Sequence, residues 1–178
     1  MKRLLSAFRA FKKDETATLT VEFVILMPVL IFWFIGSVVF YDAFDARAGA
    51  QKTSYTLADI VSRQSEVSND FIDQLLVLQN RMLPLEPVGS VRVSTLQVSD
   101  AGNLEVLWSY STEGTALTID DVDLTSLPPM DVEDSVVIVE SYVPYVPLAD
   151  WVGIVQQTWA NKIVTQARFV DALENSDF

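Results

Sequence analysis

The sequence contains no cysteine and no histidine. Without thiols there is no disulfide framework, no thiolate metal site and no cysteine nucleophile. Without imidazole, the usual general base near neutral pH and the commonest metal ligand are both missing. The sequence also lacks a Gly-rich phosphate loop, a Gly-x-Ser-x-Gly elbow and any recognisable metal-ligand spacing. Basic residues are scarce, 12 against 24 acidic ones, for a net charge of −12. They are also unevenly placed. Lys2, Arg3, Arg9, Lys12 and Lys13 fall within the first 20 residues beside only Asp14 and Glu15, so that end carries +3 and the rest of the chain −15. Such an acidic body repels phosphates and argues against nucleic acid as a partner. Carboxylate pairs are inevitable in so acidic a chain and carry no catalytic information without geometry. The expectation is a protein that is not an enzyme and has no cofactor. The enzymatic alternative is a carboxylate-based hydrolase such as a glycosidase, which needs two close carboxyl groups in a cleft.

Charge is missing altogether from Phe23 to Tyr41, a run of 19 residues. As a helix this run reaches roughly 28 Å, close to the hydrocarbon thickness of a bilayer. The core of a cleavable secretory signal is shorter, usually about 7–15 residues, although Ala46-Arg47-Ala48 has the small-x-small form at which such a signal would be cut. Pro28 lies early in the run, where a missing amide is tolerated or produces a kink. A basic tail before the run and an acidic body after it orient the chain in the inner membrane as a single-pass protein, with its N-terminus cytoplasmic and its C-terminal domain periplasmic.

Beyond the run, Tyr41, Phe44, Ala48, Tyr55, Ala58 and Val61 recur at helical spacing and predict an amphipathic continuation whose apolar stripe packs on a sheet. Ser68-Asn69-Asp70 reads as a break and a fresh cap, followed by a second helix with Phe71, Leu75, Leu78 and Met82 on one side, ending near Leu83-Pro84. The period then changes to two. Val91, Val93 and Thr95, the turn Asp100-Ala101-Gly102-Asn103, and Leu104, Val106, Trp108 and Tyr110 predict a hairpin. Further strands are expected over Val136–Val143 and Lys162–Val170. The fold class is therefore α+β and membrane-anchored, with a transmembrane helix extended into a long amphipathic helix packed on a small antiparallel sheet.

Two clusters invite functional readings. Asp120, Asp121 and Asp123 could offer oxygens to calcium, but they lack the alternating carboxylates, glycine and terminal glutamate of an EF-hand loop; a solvated loop is the expectation, with no metal. Tyr142, Tyr145, Trp151 and Trp159 are either a contact surface or the end of a small core.

The residues leading into the apolar run are the most informative. In Ala17-Thr18-Leu19-Thr20-Val21-Glu22-Phe23, a small residue stands five positions before a glutamate that opens directly onto the run. A carboxylate there either stays at the interface and complements the helix dipole or needs a partner inside the membrane. This segment resembles the N-terminus of the TadE/TadG-like pseudopilins of tight-adherence (Flp-type) type IV pilus systems. Ala58-Asp59-Ile60-Val61-Ser62-Arg63-Gln64 resembles that family's post-membrane helix, and Ser135–Glu140 followed by Ser141–Leu148 its late strand and Tyr-Pro-rich turn. The size is TadE-like, without an added von Willebrand-type domain. The resemblance implies a pilin-like fold and cleavage by a prepilin peptidase between Ala17 and Thr18, where the family usually carries glycine before the cut. It makes Glu22 the fifth mature residue, paired with a neighbouring subunit's new terminal amine. It further implies partners among other pilins, pseudopilins and the assembly machinery, and a role in pilus assembly and cell adhesion. Residues 1–17 would then be a cytoplasmic leader, 18–41 the transmembrane helix and 42–178 the extracytoplasmic domain. The alternative is an uncleaved bitopic anchor whose outer domain binds a periplasmic partner.

Overall fold

The computed structural model describes residues 16–83 and 88–178, with side chains from Thr20 onward. The basic stretch within 1–15 and the helix-ending Pro84 lie outside the described residues. Helix α1 spans Thr16–Ser62, 47 residues with Pro28 inside it, a rod of roughly 70 Å. It is the one described helix long and apolar enough to cross a membrane. Side chains from Thr20 to Phe34 are exposed on every side of it. From Gly36 onward one face is covered, and Val39, Ala43, Ala50, Thr53, Ser54, Leu57, Ala58 and Val61 are buried.

That face is not the stripe expected from the sequence. Of the expected set only Ala58 and Val61 are buried; Tyr41, Phe44 and Tyr55 are 74%, 67% and 56% exposed, and Ala48 is exposed too. The reason is steric. The helix lies close enough to the sheet for the Ser54 hydroxyl to hydrogen-bond that of Ser141, an approach that alanine and serine allow and aromatic rings would block. The aromatic rings are therefore left largely exposed instead of packed beneath the sheet.

After Ser62 the chain turns, and Glu66–Val67 forms a two-residue strand, β1. Helix α2, Asn69–Met82, starts where expected. The Ser68 hydroxyl accepts from the Phe71 amide at 3.2 Å, and Asp70 and Arg81 complement the two ends of the dipole. Its buried face, Ile72, Leu75 and Gln79, is turned about one residue from the expected one, leaving Phe71 and Leu78 at the rim and Met82 exposed.

Strands β2 (Ser90–Val98), β3 (Leu104–Ser111), β4 (Ser135–Tyr145) and β5 (Gln157–Thr165) form an antiparallel sheet in the order β3-β2-β4-β5. The expected turn joins β2 to β3, with the Ser99 amide donating to the Asn103 carbonyl and Gly102 at positive φ. A bulge interrupts the simple alternation of β3. Thr95 pairs with Trp108 but Leu96 pairs with Val106, so Leu107 has no partner. Leu104 and Val106 therefore pack on one face and Trp108 and Tyr110 on the other. Strand β4 extends beyond its expected ends and carries Pro144 past the point where β2 pairing stops at Tyr142, opposite Thr158 of β5.

Strand β5 lies five residues earlier than the expected Lys162–Val170. Its pairing with β4 ends at Val137–Thr165. Beyond it the chain leaves the sheet: the Arg168 amide donates to the Ser62 carbonyl, Phe169 is exposed, and Leu173 is buried with its carbonyl accepting from Trp108 Nε1 at 2.7 Å. Glu174–Asn175, β6, then pairs in parallel with β1.

Both faces of the sheet are covered. The helices cover Val91, Val93, Trp108, Val137 and Val139. The irregular segment 112–134 covers Leu96, Val136 and Ile138 with Leu117, Val122, Leu127 and Met130. The helix–sheet contact is directly testable. Ala50→Leu overpacks a fully buried site and should lower the unfolding free energy by about 1–3 kcal/mol. Tyr55→Ala, on the free face, should stay within about 0.5 kcal/mol. Denaturant titration of the two variants reads the difference.

Candidate functional site

The bare end of α1 begins beside the residues singled out in the sequence. The Ala17–Thr18 bond lies in the helix's first turn; the side chains of both residues are outside the described set. Glu22 is exposed on the helix surface, in a shallow crease with Thr20, Phe23 and Leu26. Among the described residues it makes no ion pair.

The four aromatic residues do not form one cluster, since alternation along β4 sends them to different faces. Tyr145 points toward α1, where it is only 2% exposed, and donates its hydroxyl hydrogen to Asp42 Oδ2 at 2.8 Å. Burial, with the Asp42 hydrogen bond second, pushes the Tyr145 phenol up to about 12. Trp159 lies on the same side, its ring 6.0 Å from that of Tyr145, with the Arg47 guanidinium 5.6 Å above it. Its indole nitrogen is buried without a hydrogen-bond partner among the described residues. Trp151 belongs to the β4–β5 loop and packs its ring at a tilt against Phe32, inside the apolar run, with the ring centroids 5.4 Å apart.

Tyr142 sits on the opposite face in a polar group that the sequence did not reveal. Arg92 donates to Glu140 Oε2 at 2.6 Å and to the Tyr142 hydroxyl at 3.2 Å, and both members of the ion pair are largely buried. The hydrogen bond to Glu140 raises the Arg92 guanidinium, whereas burial raises the Tyr142 phenol. The cross-strand register that pairs Arg92 with Glu140 was the only signal that could have exposed this group, and it requires knowing that β2 and β4 are neighbours.

The acidic cluster is an exposed, self-satisfied loop. Asp121 accepts from the Thr118 hydroxyl. Asp123 caps a short turn by accepting from the Thr125 amide and hydroxyl, and these two bonds lower its carboxyl below the usual range. No set of three acidic side chains among the described residues is arranged to hold a metal. Near the start of β4 an open depression of about 660 Å³ is lined in part by Glu133, Asp134 and Asp171. Asp134 is committed there to its own turn, accepting from the Asp131 amide at 2.8 Å.

Comparison of the chain with protein-family models, with curated proteins and with solved structures gave no match. The geometry is thus the ground for a functional reading: a helix bare at one end, clasped by a sheet at the other, and tied to it just past the apolar run through Asp42 and Tyr145.

That tie has a pH signature. Tyr145 is raised in the folded chain, from 10.0 to about 12. Its contribution to stability is therefore complete below pH 10 and is lost as the pH climbs toward 12. Tyr145→Phe should cost about 1–3 kcal/mol at neutral pH and flatten the alkaline fall in stability, read as the denaturation midpoint between pH 9 and about 12.

Proposed function

We propose that this chain is a single-pass inner-membrane subunit of a tight-adherence (Flp-type) pilus machine. It would be a minor pilin or pseudopilin of the TadE-like kind, acting in pilus assembly and surface attachment rather than in catalysis. The observation that carries the proposal is the two-part surface of α1, whose apolar side chains are exposed from Phe23 to Phe34 and whose one face is covered by the domain from Gly36 to Val61. A rod held firmly by a domain at one end and presenting an apolar surface from Phe23 onward at the other suits insertion in a bilayer and side-by-side docking with similar rods.

In this reading the basic leader is cytoplasmic, the prepilin peptidase cuts between Ala17 and Thr18, and residues 42–178 stand in the periplasm. Cleavage leaves Glu22 one turn from a new amine. The unpaired carboxylate of Glu22 is then costly within an apolar bundle unless another subunit's amine meets it.

The mature N-terminus, read by mass spectrometry on protein from its own membranes, tests this. A start at Thr18 that disappears with the prepilin peptidase is the expected result. A start at Met1 would mean an uncleaved bitopic anchor, and a start at Gly49 a secretory signal. Glu22→Ala should leave membrane insertion intact. Losing an intersubunit pair worth about 2 kcal/mol or more should reduce recovery in sheared pilus fractions by more than about tenfold. Recovery equal to the parent chain's, in a system that needs this protein, would remove Glu22 from assembly.

A further inference from the structure

We infer that the β4–β5 loop is a second membrane contact, resting its apolar tip on the outer headgroup–acyl boundary of the bilayer that α1 crosses. The inference rests on reading α1 as a membrane span and adds a contact which that reading does not require.

The loop folds back along the helix instead of standing clear of it. Trp151 packs on Phe32, and Val152 lies against Gly36, where a Cβ would meet its Cγ1 at 3.5 Å. Phe32 is nine residues before Tyr41, about 13 Å along the axis. The tip of the loop is therefore alongside the apolar run. Its own side chains are apolar and uncovered, with Leu148 74%, Val155 65%, Trp151 58% and Val146 52% exposed. In a domain this acidic, Asp150 is the single charged residue between Val146 and Gln157.

Two constraints fix the depth. Irregular backbone facing hydrocarbon leaves amides and carbonyls unsatisfied, and the Asp150 carboxylate cannot enter hydrocarbon cheaply. The loop therefore settles at the boundary, where tryptophan is favoured and apolar side chains dip about 5–10 Å. This moves the outer edge of the hydrocarbon from Tyr41 to near Phe34. In the mature chain the helix from Thr18 to Phe34 keeps 17 residues, roughly 25 Å, at the short end of the range that spans a bilayer.

Lipid is favoured over a second copy of the chain by the continuity of the surface. The loop's exposed apolar residues adjoin a helix segment whose side chains from Phe23 to Phe34 are all exposed, Phe32 included despite its contact with Trp151, and a fluid bilayer wets that whole contour without needing a matching shape.

The four tryptophans of the chain, Trp33, Trp108, Trp151 and Trp159, supply native reporters for the test. The full-length protein would carry 5-fluorotryptophan and sit in phosphatidylcholine–phosphatidylglycerol nanodiscs, with resonances assigned by single Trp→Phe variants. Spin-labelled lipid, with the label shallow or deep in the acyl chain, then broadens the fluorine signals near it. Trp33 reports the span, and buried Trp108 is the control away from lipid. The expected result is broadening of Trp151 several-fold above Trp108, stronger with the shallow label than with the deep one, alongside a broadened Trp33. A Trp151 signal as unaffected as Trp108, with Trp33 broadened, overturns the loop contact while leaving the span intact. If Trp33 is also unaffected, the span and the loop contact fall together. A Trp151 signal that ignores the lipid label but shifts as more chains are loaded per disc would assign the loop to a second copy and overturn the inference.

Discussion

The arrangement of the molecule depends on how closely α1 can approach the sheet. Ala43, Ala50 and Ser54 present almost no side-chain bulk, and Ser141 answers from β4 with a hydroxyl that bonds Ser54. Close packing of this kind leaves no lateral play, since interiors are packed at crystal-like density. Several features follow from the same contact. Tyr145 reaches Asp42, Trp159 lies under Arg47, and the loop after β4 is carried down beside Phe32 and Gly36. The rings of Tyr41, Phe44 and Tyr55 are left largely exposed.

The sheet is stiffened from its other face as well. The segment 112–134 contains only two short 3-10 turns and no strand, yet it buries Leu117 and Val122 against Leu96, Val136 and Ile138. The Leu117 amide donates to the Ser109 hydroxyl, which also bonds that of Ser94. Beside this lies the largely buried Arg92–Glu140 pair. Such a pair is a weak source of stability but costly to break on one side. A sheet covered on both faces cannot present its flat surface to a partner, so the free face of α1, the loops and the edge strands are the surfaces left for contact.

Local signals in the sequence were the dependable ones. The Ser68 cap, the turn at Asp100–Asn103 and the uncharged run from Phe23 to Tyr41 each depend on residues within a few positions of one another, and each stands where the sequence places it. Features set by distant partners were misplaced or missed. The register of β5 is fixed by β4, and the bulge at Leu107 by the course of β2. Strands β1 and β6 are two residues each, too short for any period to register. The helix face was misread because hydrophobicity favours Tyr41, Phe44 and Tyr55, whereas the sheet selects for small size. Among the candidate site residues, the sequence grouped Tyr142, Tyr145, Trp151 and Trp159 by proximity in the chain; strand alternation and the loop's return path divide them.

One uninterrupted helix joins the exposed apolar end to the folded domain. Because the chain has no cysteine, paired spin labels can be placed at Trp33→Cys and Tyr55→Cys, both exposed on α1, and their separation measured by pulsed electron paramagnetic resonance in nanodiscs. Twenty-two residues of unbroken helix predict a single narrow distance near roughly 33 Å. A shorter distance, or two populations, would mean that the helix breaks between membrane and domain, and would contradict the account.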